Sequence, residues 1–162
     1  MNAVCVHAAA MIEVGPPDEG CVVCLAEGGE WVHLRQCLVC ARTLCCDNSP
    51  GRHMTRHWEA TGHPVMRSAQ PGEDWTWCYP DEAMVRVAGD RWETYDVFLD
   101  MGLPFAERHL ASGGSPDVDP DAVTDEGFPI GAWFAHIREQ KAGGNLDPSD
   151  QTAIEGLPGW AW

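Results

Sequence analysis

The spacing of cysteine and histidine in the first half of this chain narrows what it can fold around. Cys21 and Cys24, then Cys37 and Cys40, form two pairs with two residues between the partners. Cys45 follows, and then His53, His57 and His63, with three and then five residues between successive histidines. These are the intervals of structural zinc sites. A two-residue gap lets one tight turn aim both sulfurs at one ion while the remaining ligands arrive from elsewhere in the chain. One ion then ties distant segments together. In finger peptides that apparent binding free energy is roughly 10–16 kcal/mol near neutral pH, as large as the whole stability of a domain.

The cysteine count of eight is even and so also admits a disulfide framework. The amino-terminal stretch MNAVCVHAAAMIEV has no basic segment followed by an apolar run and a cleavage site, so export to an oxidising compartment is not expected. Disulfides would also leave the matched histidine intervals unexplained. Structural zinc is therefore the expected cofactor, and a cytoplasmic location is expected with it.

Length and charge agree with this reading. A chain of 162 residues holds one domain or two small ones, and a unit of half that size buries a modest core that metal must supplement. The formal net charge of -15 disfavours nucleic acid as a partner, because polyphosphate binding is driven by lysine and arginine releasing counterions. No apolar run approaches the roughly 20 residues needed to span a bilayer, so no membrane association is expected.

From Glu30 to Leu38, Trp31, His33 and Arg35 alternate with Val32, Leu34 and Leu38, a period of two that predicts a strand delivering Cys37 at its end. Ser49 and Pro50 read as a helix cap and first helical position, and Gly62 with Pro64 as a stop, which predicts one helix over Arg52 to Thr61 carrying His53 and His57 on a face. Val65 to Ala69 and Trp75 to Tyr79 read as further strands joined at Gln70-Pro71-Gly72. Beyond residue 85 the texture turns helical. Trp92, Tyr95, Phe98 and Leu99 recur at helical intervals until Gly102 and Pro104 end the segment, and Phe105 to Leu110 form a further turn or two. Residues 111–127, rich in Gly, Pro, Ser and Asp, read as a flexible loop or linker. Ile130, Trp133, Phe134 and Ile137 form one amphipathic stripe ending near Gly143-Gly144. Asp147-Pro148 caps a last helix, and Gly159 lets Trp160 and Trp162 fold back.

Cys21-Val-Val-Cys24, Trp31-Val-His-Leu-Arg35, Cys37-Leu-Val-Cys40, Cys45, His53, His57 and Thr61-Gly-His63-Pro64 resemble the UBP-type zinc finger, the ubiquitin-binding module of deubiquitinases and of one histone deacetylase. The resemblance covers roughly residues 3 to 82. It implies an α+β fold, a small zinc-stapled antiparallel sheet with one helix packed on it, over residues 1–84. It also implies one zinc on Cys21, Cys24, Cys45 and His53, and a second on Cys37, Cys40, His57 and His63. Cys5-Val-His7 matches the early pair that completes a third site in the family's richer members, so two or three ions per chain are expected. That third site would use Cys5, His7 and Cys78, with Asp81 standing where the family has a fourth cysteine; a carboxylate oxygen can ligate zinc, but more weakly against water. Cys45 and Cys46 compete for one role. Cys45 keeps the family's distance from Cys40 and is preferred; Cys46 keeps the family's distance to His53 and is expected to pack as a spare thiol.

Spacing alone leaves another reading open for the helix. His53 and His57, four apart, can chelate one catalytic ion as in zinc proteases, but Met54 stands where that motif carries its glutamate base. In the resembled family a pocket takes a free C-terminal Gly-Gly, and Trp77 and Tyr79 match its aromatic positions. Cys46-Asp47-Asn48 replaces the arginine that would pair with the carboxylate, leaving Arg52 or Arg35 to compensate. Trp31 and Trp75 are expected in the core. His33, His109 and His136 are expected at surfaces or satisfied in packing, and Glu59 in solvent.

The tail from Trp92 to Trp162 is similar to the helicase-associated domain, through Phe128-Pro-Ile-Gly131-Ala-Trp133, Arg138 and Leu157-Pro-Gly-Trp160-Ala-Trp162. A small all-α domain over 85–162 is expected. The leading functional expectation is a non-enzymatic module binding a protein or peptide C-terminus. The alternatives are a nucleic-acid or helicase accessory protein and, least supported, a zinc hydrolase.

Overall fold

The computed structural model describes residues 2–162. The fold is α+β and divides into two units, residues 3–94 and residues 95–162 with Asn2.

The first unit is built on a six-stranded antiparallel sheet of order β2-β1-β3-β4-β5-β6, with β1 Leu34–Cys37, β2 Thr43–Cys45, β3 Val65–Ser68, β4 Thr76–Cys78, β5 Ala83–Ala88 and β6 Arg91–Thr94. Two helices accompany it, α1 Val22–Glu27 and α2 His53–Thr61. The register pairs Cys37 with Met66, Met66 with Trp77 and Trp77 with Met84, so these four side chains share one face of the sheet. On the opposite face a row runs through Gln36, Arg67, Thr76, Val85 and Thr94. That second face is covered by an amino-terminal strap containing a short 3-10 turn, Val6–Ala10. The strap is held by Cys5 N–H to the Trp92 carbonyl at 2.9 Å and Ile12 N–H to the Leu38 carbonyl at 2.8 Å.

Two small cores result. One gathers Cys21, Cys24, Cys37 and Cys45 with Leu34, Leu44 and Met54, and the other gathers Cys5 and Cys78 with Ala8, Leu38, Val65 and Val85. Cysteine thus contributes much of what these cores bury, as expected where metal rather than apolar volume supplies cohesion.

The second unit holds α3 Val97–Ala111, α4 Ile130–Ala142 and α5 Pro148–Glu155 around a core of Leu99, Ala106, Leu110, Phe128, Ile130, Trp133, Phe134, Ile137, Ile154 and Leu157. Asp96 caps α3 by accepting from Leu99 N–H at 3.1 Å, and Asp147 caps α5 by accepting from Ser149 N–H at 2.9 Å. Trp160 stacks on Phe134 with centroids 5.6 Å apart, and Trp162 meets Trp160 edge-on.

Several sequence expectations differ from what is observed. The boundary lies between Thr94 and Tyr95, not between 84 and 85, because β5 and β6 extend the sheet. Trp92 lies in β6, so its helical interval to Tyr95 and Phe98 is a coincidence of short-range pattern. Neither Gly102 nor Pro104 ends a helix; both lie inside α3. Leu99, Ala106 and Leu110 are all buried on α3, and this tertiary burial outweighs helix costs of about 1 kcal/mol for Gly and about 3 kcal/mol for Pro. Of the stretch 111–127, Ala111 ends α3 and the rest is a packed irregular loop: Val118 and Ala122 lie against the core, and Arg138 donates to the Pro116 carbonyl at 3.2 Å and to Asp117 at 3.0 Å. Helix α2 begins at His53, while Ser49 instead accepts from Val32 N–H at 3.0 Å. Among the described residues no helix is long and apolar enough to cross a membrane.

Candidate metal centres and the adjoining pocket

All eight cysteines are free thiols. Seven of them converge with histidines and one carboxylate into three groups, within each of which the donor atoms all lie within 4.8 Å of one another.

The first group is Cys21, Cys24, Cys45 and His53. Cys21 and Cys24 bracket the start of α1, Cys45 ends β2, and His53 opens α2. His53 Nδ1 lies 3.4, 3.3 and 3.3 Å from the sulfurs of Cys21, Cys24 and Cys45, and the sulfurs of Cys24 and Cys45 are 3.9 Å apart. Zinc with bonds of about 2.3 Å to sulfur and about 2.0–2.1 Å to nitrogen requires tetrahedron edges of about 3.6 Å (S to N) and about 3.8 Å (S to S). These separations lie within about 0.3 Å of the edges zinc needs.

The second group is Cys37, Cys40, His57 and His63. Cys37 ends β1, Cys40 follows in the turn, His57 is one turn along α2 from His53, and Gly62 terminates α2 so that His63 faces back. Cys40 Sγ lies 3.3 Å from His57 Nε2, Cys37 Sγ 3.6 Å from His63 Nδ1, and the two ring nitrogens 3.1 Å apart. Because His53 and His57 serve different groups, the two-histidine chelate of a protease does not form. Ala41 and Arg52, each adjacent to a donor residue, adopt left-handed φ values of 65° and 46°, a conformation costing a non-glycine residue about 1–2 kcal/mol.

Cys5, His7, Cys78 and Asp81 make the third group. Cys78 Sγ lies 3.5 Å and Asp81 Oδ1 3.1 Å from His7 Nδ1. The other carboxylate oxygen of Asp81 is buried without a partner, an arrangement suited to a carboxylate turned toward a cation.

Burial and mutual proximity shift the donor groups in both directions. Burial opposes ionisation of Cys21, yet hydrogen bonds from the amide and thiol of Cys24 outweigh it and lower its pKa. Burial, with the thiols of Cys21 and Cys45 alongside, pushes Cys24 up to about 12. Cys5 and Cys78 are both raised by burial. His57 is lowered by burial and by neighbouring His63 and Arg42, which favours the neutral ring that ligates. The described residues thus hold three groups able to bind zinc, which imidazole and thiolate would hold as a structural ion.

Cys46 stands apart from these groups, with its sulfur 3.4 Å from Ser49 Oγ. It lines a pocket of about 230 Å³ together with Arg35, Asp47, Asn48, Met54, Met66, Trp75, Trp77, Tyr79 and Met84. Of the two arginines raised as compensation for the missing one, Arg35 lines this pocket, its guanidinium 4.5 Å from the Trp75 ring centroid. Arg52 instead pairs with Asp47 at 3.4 Å. Tyr79 stacks on Trp58, and its hydroxyl lies 3.3 Å from Thr55 Oγ1. Trp31 packs against the cysteine-rich core as expected, whereas Trp75 lines the pocket. Sequence reasoning did not single out Met66 and Met84; the signal lay in the strand register, which puts Met66, Trp77 and Met84 in one row.

Residues 21–89 match the family described as Zn-finger in ubiquitin-hydrolases and other protein. Cys5 and His7 lie outside the matched stretch. Among solved structures the chain is similar to the solution NMR structure of protein RPA1320 from Rhodopseudomonas palustris, at 49% identity over 52% of this chain and 82% of that one, with a TM-score of 0.47. No curated protein matches the chain.

Proposed function

We propose that residues 3–94 form a non-enzymatic, zinc-stapled binding module that takes the free carboxylate end of a peptide or protein into the pocket walled by Trp75, Trp77 and Tyr79. The observation that carries this reading is the place of Arg35. Among the described residues it is the only lysine or arginine lining the pocket, its guanidinium lies against the Trp75 ring, and such a cation in an aromatic slot suits a carboxylate. At about 230 Å³ the pocket is smaller than typical drug-sized sites of about 300–1,000 Å³, which favours one or two small terminal residues. Each metal group offers four protein donors, which suits structural ions over catalytic ones with an open position.

The helical unit enters this reading as a packing or protein-contact module. Its two arginines and one lysine are engaged internally: Arg108 with Glu126 at 2.7 Å, Arg138 with Asp117 at 3.0 Å, and Lys141 over the Trp162 ring at 4.9 Å. No basic stripe is left for phosphates.

The test is calorimetric titration with short peptides ending in Gly-Gly, as free acids and as C-terminal amides. Free acids are expected to bind on the order of ten-fold or more tighter, and Arg35→Ala should remove that difference. Equal binding of acid and amide would reject carboxylate capture.

A further inference from the structure

The three metal groups differ in donor chemistry and in what must move to open them. The first has three thiolates, all nearly inaccessible: Cys21, Cys24 and Cys45 are 0%, 2% and 0% exposed. The second has two thiolates and two imidazoles, and both its histidines are anchored by α2 and the turn that ends it. The third replaces one soft donor by the Asp81 carboxylate, and the side chains of His7 and Asp81 are 34% and 24% exposed. Thiolate suits zinc better than carboxylate, which also suits harder cations and competes poorly with water.

The third group is also mechanically distinct. Cys5 and His7 lie on the strap, while Cys78 and Asp81 lie at the end of β4 and in the turn after it. Apart from those donors the strap has few holds. They are its hydrogen bonds at Ala3, Cys5 and Ile12, the burial of Cys5 and Ala8 and the packing of Met11 against the same core, while Val6 and Ile12 are 69% and 54% exposed. The first and second groups both draw histidine donors from α2 or the turn that ends it, whereas the third opens when the strap, which contains no α-helix or strand, lifts from the sheet. Beneath it, among the polar side chains of that face, lies an apolar cluster: Leu38, Val65 and Val85 are buried, and Trp92 packs beside them.

We propose that Cys5, His7, Cys78 and Asp81 form an exchangeable metal clasp that holds the strap of residues 3–12 over the sheet. Zinc leaves this group before the other two, and its loss uncovers the apolar face formed by Leu38, Val65, Val85 and Trp92. The Asp81 carboxylate sets the threshold.

The zinc-loaded full chain is titrated with a chelator while released zinc is read colorimetrically and amide hydrogen exchange is followed by mass spectrometry. One equivalent is expected to leave at a chelator concentration on the order of ten-fold or more below that needed for the other two. Protection at Cys5 and Ile12 should fall in that same step, while protection within His53–Thr61 persists. Asp81→Cys should move the early step towards the later ones. Cys5→Ser, which needs no improved site to fold, should give a chain retaining two zincs with an unprotected strap. Three ions leaving together, an early ion leaving with the strap still protected, or an Asp81→Cys chain that releases its first zinc as readily as the parent would each overturn the clasp.

Discussion

Gly51 lies directly beneath the ring of His53: a Cβ built on Gly51 would come 2.3 Å from His53 Cε1 and 2.7 Å from Nδ1, the nitrogen that faces three sulfurs of the first metal group. The ring cannot yield without leaving those sulfurs. Gly51→Ala is therefore expected to displace a donor rather than a flexible side-chain end. Zinc affinity of the first group should fall about 10–100-fold, the range seen when ligand-orienting contacts are removed. Competition against a chromogenic chelator measures it, and unchanged retention of all zinc would contradict the geometry.

Cys45 and Cys46 are adjacent, yet only Cys45 faces His53 Nδ1, at 3.3 Å. Cys45→Ser should lower the zinc content by one ion per chain, with loss of folded structure around α2. Cys46→Ser, at a sulfur that contacts Ser49, should keep the full content. Native mass spectrometry of the two variants separates the roles.

Tyr79 carries a pH signature. Burial raises its pKa from 10 to about 12, opposed by the hydrogen bond with Thr55. The unfolded chain ionises this phenol more readily than the folded one, so the contribution is complete below pH 10 and is lost as pH rises from 10 to about 12. Tyr79→Phe should flatten that alkaline decline in urea-unfolding stability. A decline identical in both proteins would assign it to other groups.

In the helical unit, Trp133 occupies the space that a side chain on Gly102 would need. A Cβ there would lie 2.0 Å from Cδ1 and Nε1 of the indole, whose N–H donates to the carbonyls of Phe98 and Leu99 at 3.0 and 3.1 Å. Gly102→Ala gains about 1 kcal/mol of helix propensity but forces an overlap costing typically about 1–3 kcal/mol, with indole hydrogen bonds strained as well. The overlap is expected to win, giving a lower Tm and weaker near-UV circular dichroism from Trp133. A stabilised variant would show that the two helices separate easily.

Local chemistry written in the chain settled much about this protein. The Cys-x-x-Cys intervals mark the side chains that converge, because tight turns set donor spacing whatever the rest of the chain does. Asp147-Pro148 marks a helix start for the same reason, since a cap needs only its own neighbours. Tertiary structure decided what depends on distant partners. Gly102 and Pro104 continue a helix because the Trp133 indole lies against it from α4, and β5 and β6 are strands because β4 offers them a paired edge. Arg35 lines the pocket only because β1 lies beside β3, β3 beside β4 and β4 beside β5, placing Arg35, Met66, Trp77 and Met84 around one cavity. Pairing across a sheet and packing between helices are interactions over long sequence separations, and a local pattern carries no trace of which partner will arrive.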